Sequence, residues 1–166
     1  MLAWAGLVMG FLALAIALML PGEISRGGDD RAFLDALAPA YTRAKRDERA
    51  IIALSAQPSF ATGRVENKPI VRTWLAGLIA MQNESAGAIP CSADMKSVKR
   101  AVSDVAVTAR KSEALRVYAA SLPLGGAHDR ASREWEASLE KIDAKNEELQ
   151  NLMVRTAEAR ILGEGG

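Results

Sequence analysis

The feature that most constrains this chain is its first stretch. Residues 2–20 read LAWAGLVMGFLALAIALML, and no charged side chain occurs before Glu23. Of the first twenty residues only Gly6 and Gly10 fall outside the apolar set. A helix needs about 20 mostly apolar residues to cross the roughly 30 Å hydrocarbon core of a bilayer, a length this run just meets. Within lipid a helix satisfies its own backbone hydrogen bonds, and Pro21-Gly22 is a suitable place for it to stop. The expectation is a single-pass anchor over residues 1–21. Trp4 would sit at an interface, with Leu7, Phe11, Leu14 and Leu18 in the apolar body.

A cleaved signal peptide is the competing reading. The run lacks a basic segment ahead of it, and its best small-x-small site, Ala15-Ile16-Ala17, falls inside the apolar stretch rather than after it. Both features favour an anchor in a cell's inner membrane. The side is open. Positive-inside counting over Arg26, Arg31, Arg43, Lys45, Arg46 and Arg49 points to a cytosolic carboxyl side. The usual arrangement of single N-terminal anchors points instead to a periplasmic domain.

Behind the anchor the chain reads as helices. Residues 22–30 form a polar, Gly-containing linker. Asp29 or Asp30 can then cap a helix with apolar positions at Phe33, Leu34, Leu37, Tyr41, Ile51, Ile52 and Leu54, and Pro39 predicts a kink or a restart in it. Its charge-dense stretch from Arg43 to Arg49 reads as a solvated face, with an acidic surface or anionic headgroups as the alternative. After a connector over 57–68, Pro69 suits the first turn of a second helix. That helix carries Ile70, Val71, Trp74, Leu75, Leu78, Ile79 and Met81. Ser92 or Asp94 can cap a third, whose apolar line runs through Met95, Val98, Val102, Val105 and Ala109. An irregularity is expected near Lys111-Ser112, followed by Leu115, Tyr118 and Leu122, and Pro123 with Gly125-Gly126 ends the helix.

The last helix is the most regular. Trp135, Leu139, Ile142, Asn146, Leu149 and Met153 step 4-3-4-3-4, a heptad seam. A lone asparagine at an a position, here Asn146, fixes register in two-stranded coiled coils at some cost in stability. Two uses compete: pairing with a partner helix or a second copy, or packing against the chain's own helices. No period-two alternation stands out. The expected fold is therefore all-α: one transmembrane helix and a soluble bundle of about four helices. It divides into a helical core over 31–126, a long coiled-coil-like helix over 127–163 and a flexible tail over 164–166.

Catalytic chemistry finds little support. Cys91 is the only cysteine and His128 the only histidine, so there is no cystine framework and no multi-histidine metal site. Gly125-Gly126-Ala127 lacks the Gly-Lys-Ser/Thr of a phosphate loop, and His128-Asp129 reads as a helix start with a capping Asp. The stretch ending at Glu84-Ser85 superficially resembles the Glu-Ser signature of lytic transglycosylases, where a glutamic acid protonates a glycosidic oxygen. The Gly-Leu-Met-Gln motif that follows in that family is missing. Lys96, Lys99, Arg100, Arg110, Lys111 and Arg116 are diluted by Asp94, Asp104 and Glu113, with no aromatic platform for nucleic acid. No cofactor, metal, nucleic acid or small-molecule substrate is expected.

Part of the chain resembles a known family. Trp74-Leu75-Ala76-Gly77-Leu78, then Ile89-Pro90-Cys91, Val98-Val102-Val105, and Ala114-Leu115 through Ala119-Ala120-Ser121-Leu122-Pro123 are similar in layout to Tai-type immunity proteins, across residues 70–124. Those resemble periplasmic inhibitors of type VI secretion amidase effectors. The resemblance implies effector binding by the helical core and transfers no catalytic residue. Paired cysteines are usual in that family, whereas Cys91 stands alone and the long last helix has no counterpart. The overall plan also resembles the inner-membrane subunit of a two-component phage spanin. The broader expectation is a non-enzymatic, membrane-anchored subunit of an envelope complex, acting through helix–helix contacts of its last helix.

Overall fold

The computed structural model describes residues 28–57, 64–85 and 92–163. The expected anchor with Trp4, Leu7, Phe11, Leu14 and Leu18, most of the linker, Cys91 and the tail lie outside them. Among the described residues the fold is all-α, without a strand. It comprises α1 (Gly28–Ser55), a 3-10 turn (Val65–Asn67), α2 (Pro69–Ser85), α3 (Ala93–Ser121) and α4 (Gly126–Gly163). None of these helices is long and apolar enough to cross a membrane.

Helix α1 starts at Gly28, inside the stretch expected to be linker. Asp30 is not its cap: the residue is buried in the first turn, and its Oδ1 accepts a hydrogen bond from the Ser92 backbone N–H at 2.7 Å. A carboxylate is favoured there by the positive end of the helix dipole. No restart occurs at Pro39, and α1 runs through it. Proline removes one i→i−4 bond, and here it stands on the exposed face of the helix. Phe33, Leu34, Leu37, Ala40, Tyr41 and Ala44 hold a helical line on both sides of it and are buried. Ile52, expected among the apolar contacts, points outward.

Pro69 opens α2, whose buried side is Val71, Trp74, Leu75, Leu78 and Met81. Ser92 caps α3, its Oγ accepting from Met95 N–H at 3.4 Å. The expected irregularity near Lys111-Ser112 is absent. The buried line continues through Val98, Val102, Val105, Ala109, Ser112, Arg116 and Ala119 in unbroken 4-3 steps. Two of those positions are polar, so an apolar search jumps to the neighbouring line, Leu115 and Tyr118, and reads a break that is not there. Tyr118 is exposed. Between α3 and α4, Gly125 has φ 145°, a conformation that L side chains rarely adopt, and its carbonyl accepts the first helical bond from Asp129 N–H at 3.0 Å.

Polar contacts give the helix directions. The bond from Ser92 to Asp30 sets the start of α1 beside the start of α3. Arg64 Nη1 and Nη2 donate to the Ala120 and Leu122 carbonyls at 2.9 and 2.7 Å, so the turn leading into α2 lies at the far end of α3. Ser138 Oγ donates to Ser112 Oγ at 2.8 Å, fixing α4 antiparallel to α3. Helix α2 lies between α1 and α3, and α3 packs along α4. One apolar core joins all four, with Phe33, Leu37, Trp74, Leu75, Met81, Val98, Val102 and Trp135 among its members.

Candidate functional site

The heptad seam of α4 is used inside the chain. Trp135, Ile142 and Leu149 belong to the core, and Leu139 and Met153 are partly buried against it. Asn146 is buried as well, with its Nδ2 lacking a hydrogen-bond partner among the described residues. A seam covered by α3 and its neighbours is not offered to a partner helix. The heptad spacing is the same for both uses, because antiparallel helices of a bundle pack with the geometry of a coiled coil.

At the end of the bundle where α3 meets α4, the side chains of Glu66, Arg116 and His128 are buried together. Arg116 Nε and Nη2 donate to the two Glu113 carboxylate oxygens, both at 2.7 Å, and Nη1 donates to the Glu66 carbonyl at 2.8 Å. The bidentate bond with Glu113 raises the Arg116 pKa above its ordinary value, against an opposing effect of burial. Glu66 Oε1 lies 2.7 Å from His128 Nε2, and Asp129 Oδ1 lies 3.5 Å from His128 Nδ1. His128 therefore does not simply begin a helix; it ties α4 to the 3-10 turn. Arg64 completes the set by satisfying the last carbonyls of α3, which have no partner within their own helix.

Ser132 Oγ approaches His128 at 3.5 Å, but on Nε2, the same nitrogen that faces Glu66. Among the described residues no group of three or more His, Cys, Asp or Glu could hold a metal ion. The Glu84 side chain lies outside those described.

Large apolar side chains are exposed at this end of the bundle. Val117 and Tyr118, in the last turns of α3, are 51% and 55% exposed, and Leu124 in the hairpin is 75% exposed. Ile52, in the last turn of α1, is 62% exposed and lies toward the same end. Its placement follows from the start of α1 beside the start of α3, with Lys45 and Glu48 midway along, close enough to Asp143 of α4 to perturb its titration. Arg64 and Glu66 escaped the sequence reading, and Arg116 entered it only as one basic residue of the third helix, because the contacts that tie the three to other elements reach across 50 or more residues, which no local spacing encodes.

The class defined by these contacts is, among the described residues, an all-α bundle with a buried polar cluster at one end and exposed apolar side chains at that end. No protein-family model matches the chain, and comparison with curated proteins and with solved structures finds no match.

Proposed function

We propose that this chain is a non-enzymatic, membrane-tethered helical protein that presents the clasped end of its bundle to a protein partner. The observation that carries the reading is the gathering of Ile52, Val117, Tyr118 and Leu124, all exposed, at one end. Scattered exposed apolar residues need no explanation, but a cluster of large ones marks an interaction surface. Support for the tether is the uncharged run over residues 2–20. At 1.5 Å per residue, α1 alone spans about 42 Å. The apolar end thus stands roughly that far from where α1 begins. The long α4 braces the bundle through its internal seam, and the contact with the partner is made at the hairpin.

The test is site-specific photo-crosslinking of the full chain in membranes, with the reactive group replacing Tyr118 or Leu124. A discrete adduct is expected at both positions, absent when Ala137 on the outer face of α4 is replaced, and lost on adding Val117→Glu without change in helix content. An adduct of twice the chain's mass identifies a second copy, and one containing a cell-wall amidase gives the inhibitor form of this reading. Equal adducts at Ala137, or none at the hairpin, refute it.

A further inference from the structure

The exposed apolar residues at the hairpin continue along one edge of α3, and we propose that this edge takes an acidic amphipathic helix. The proposal rests on the partner-binding reading above and names the chemistry of the partner. Val107, Arg110, Ala114, Val117 and Ser121 step 3-4-3-4 along α3, and all five are exposed. Ser103, four residues ahead on the same line, accepts a hydrogen bond from Gln82 Nε2 of α2 at 3.1 Å. Ser112, which bonds α4 through Ser138, is nine residues from Ser103, about two and a half turns at 3.6 residues per turn. Helices α2 and α4 thus hold opposite sides of α3, and the exposed line runs along the α2 side, away from α4. Helix α2 runs antiparallel to α3, as the Arg64 bonds at its start require. Arg72, ten residues before Gln82, therefore comes level with Glu113, between Arg110 and Val117.

Cations outnumber acids along this edge. Residues 64–83 and 105–121 hold Arg64, Lys68, Arg72, Arg110, Lys111 and Arg116 against Glu66 and Glu113. Both acids are committed: Glu113 spends its two oxygens on Arg116, and Glu66 faces His128. Lys68 has a partner of its own, and Lys111, next to Ser112, stands toward α4 and its Glu134. Arg64 donates only to neutral carbonyls, and Arg72 and Arg110, both exposed, make no ion pair among the described residues. Those three are unanswered by the remaining acids. Asp104 acts on Lys145 of α4, while Asp129, Glu134 and Glu136 belong to α4 itself, beyond α3, with Arg130 and Arg133 beside them. Asp47 and Glu48 lie on α1, across α2, paired with Arg46 and Lys45. Glu84 and Asp94, whose side chains are not described, stand 12 and 16 residues from Arg72 and Arg110, about 18 and 24 Å of helix. Residues 58–63 carry no charge.

Guanidinium groups beside exposed Ala114, Val117 and Tyr118 match a helix that carries carboxylates next to an apolar line. Each fork binds a carboxylate through two parallel hydrogen bonds, and the apolar line lies against the alanine and valine. Nucleic acid offers anions but no apolar line. A second copy, seated by a two-fold axis on this edge, would set arginines against arginines. Lipid is a helix length away, at the end where α1 begins.

The experiment keeps the full chain in membranes, with the photo-reactive group replacing Ala114 and the linked segment of each adduct sequenced by mass spectrometry. A protein adduct is expected whose linked segment has apolar residues at helical spacing and several Asp or Glu among them. Its yield should fall several-fold at high salt, and several-fold in Arg72→Gln with Arg110→Gln. It should hold in Arg130→Gln with Arg133→Gln on α4, with helix content unchanged in both variants. An undiminished adduct in the first variant, equal losses in both, or a linked segment without acids overturns the proposal. So does an adduct with lipid, nucleic acid or a second copy. Adducts at Tyr118 or Leu124 with none at Ala114 also overturn it and leave the partner reading standing. No adduct at any of the three positions removes that reading, and the proposal with it.

Discussion

At the scale of single residues, polar groups buried without full partnership decide most of what can be measured. Asn146 keeps a buried Nδ2 with no acceptor, and an unsatisfied buried donor costs about 1–3 kcal/mol. Asn146→Leu should stabilise the full chain by about 1 kcal/mol, read by denaturant melts in detergent. The gain should be independent of protein concentration; a concentration-dependent midpoint would return the seam to a partner helix. Tyr41 gives a pH dependence. Burial drives its phenol well above the ordinary value, Glu48 pushes the same way and Arg49 opposes. With the folded pKa above the unfolded one, near 10.0, the contribution is intact below that value and is lost as pH rises past it. Melting temperatures between neutral pH and pH about 11 should fall more steeply for the natural chain than for Tyr41→Phe. Parallel profiles would contradict the burial of the phenol.

At the scale of elements, what was legible in sequence and what was not have the same cause. Helix starts at Pro69 and Ser92 are local chemistry and read correctly, as does the apolar face of α2. The second half of α3 misleads because Ser112 and Arg116 take core positions. Ser112 is satisfied by Ser138, and Arg116 by Glu113 and Glu66. Only the tertiary partner makes a buried serine or arginine acceptable, so the clasp could not be read from spacing. The electrostatic coupling between α1 and α4 is likewise hidden. Lys45 is held in a 2.9 Å pair with Glu48, and both act electrostatically on Asp143. Partial desolvation raises the Asp143 pKa, Glu48 and Glu140 add to the rise and Lys45 opposes it. Its ionised form is thus disfavoured in the fold, and stability falls as pH climbs from the ordinary 3.8 through the raised value. Asp143→Asn should therefore stabilise at neutral pH by only a few tenths of a kcal/mol, because solvent screens an exposed carboxylate. The gain should vanish in acid below the ordinary value; one that persists there would rule out charge as its source.

At the scale of the molecule, the helices are not equally secured. Helix α3 packs on both α2 and α4, whereas α1 packs extensively only on α2. The Asp30 to Ser92 bond is a second fastening, at the end of α1 nearest the proposed tether. Units with fewer packed neighbours open at lower free energy than the whole protein. Native-state hydrogen exchange should accordingly show α1 amides exchanging through a partial opening that leaves α3 and α4 protected. Asp30→Ala should lower that opening energy by about 1–2 kcal/mol, since it removes a charged acceptor from a part-buried backbone donor, with little effect on α4. If α1 and α4 exchange with one common free energy in both proteins, the bundle opens only as a unit. If α1 opens alone, the hairpin end, held by Arg64, Glu66, Arg116 and His128, keeps its packing while α1 detaches.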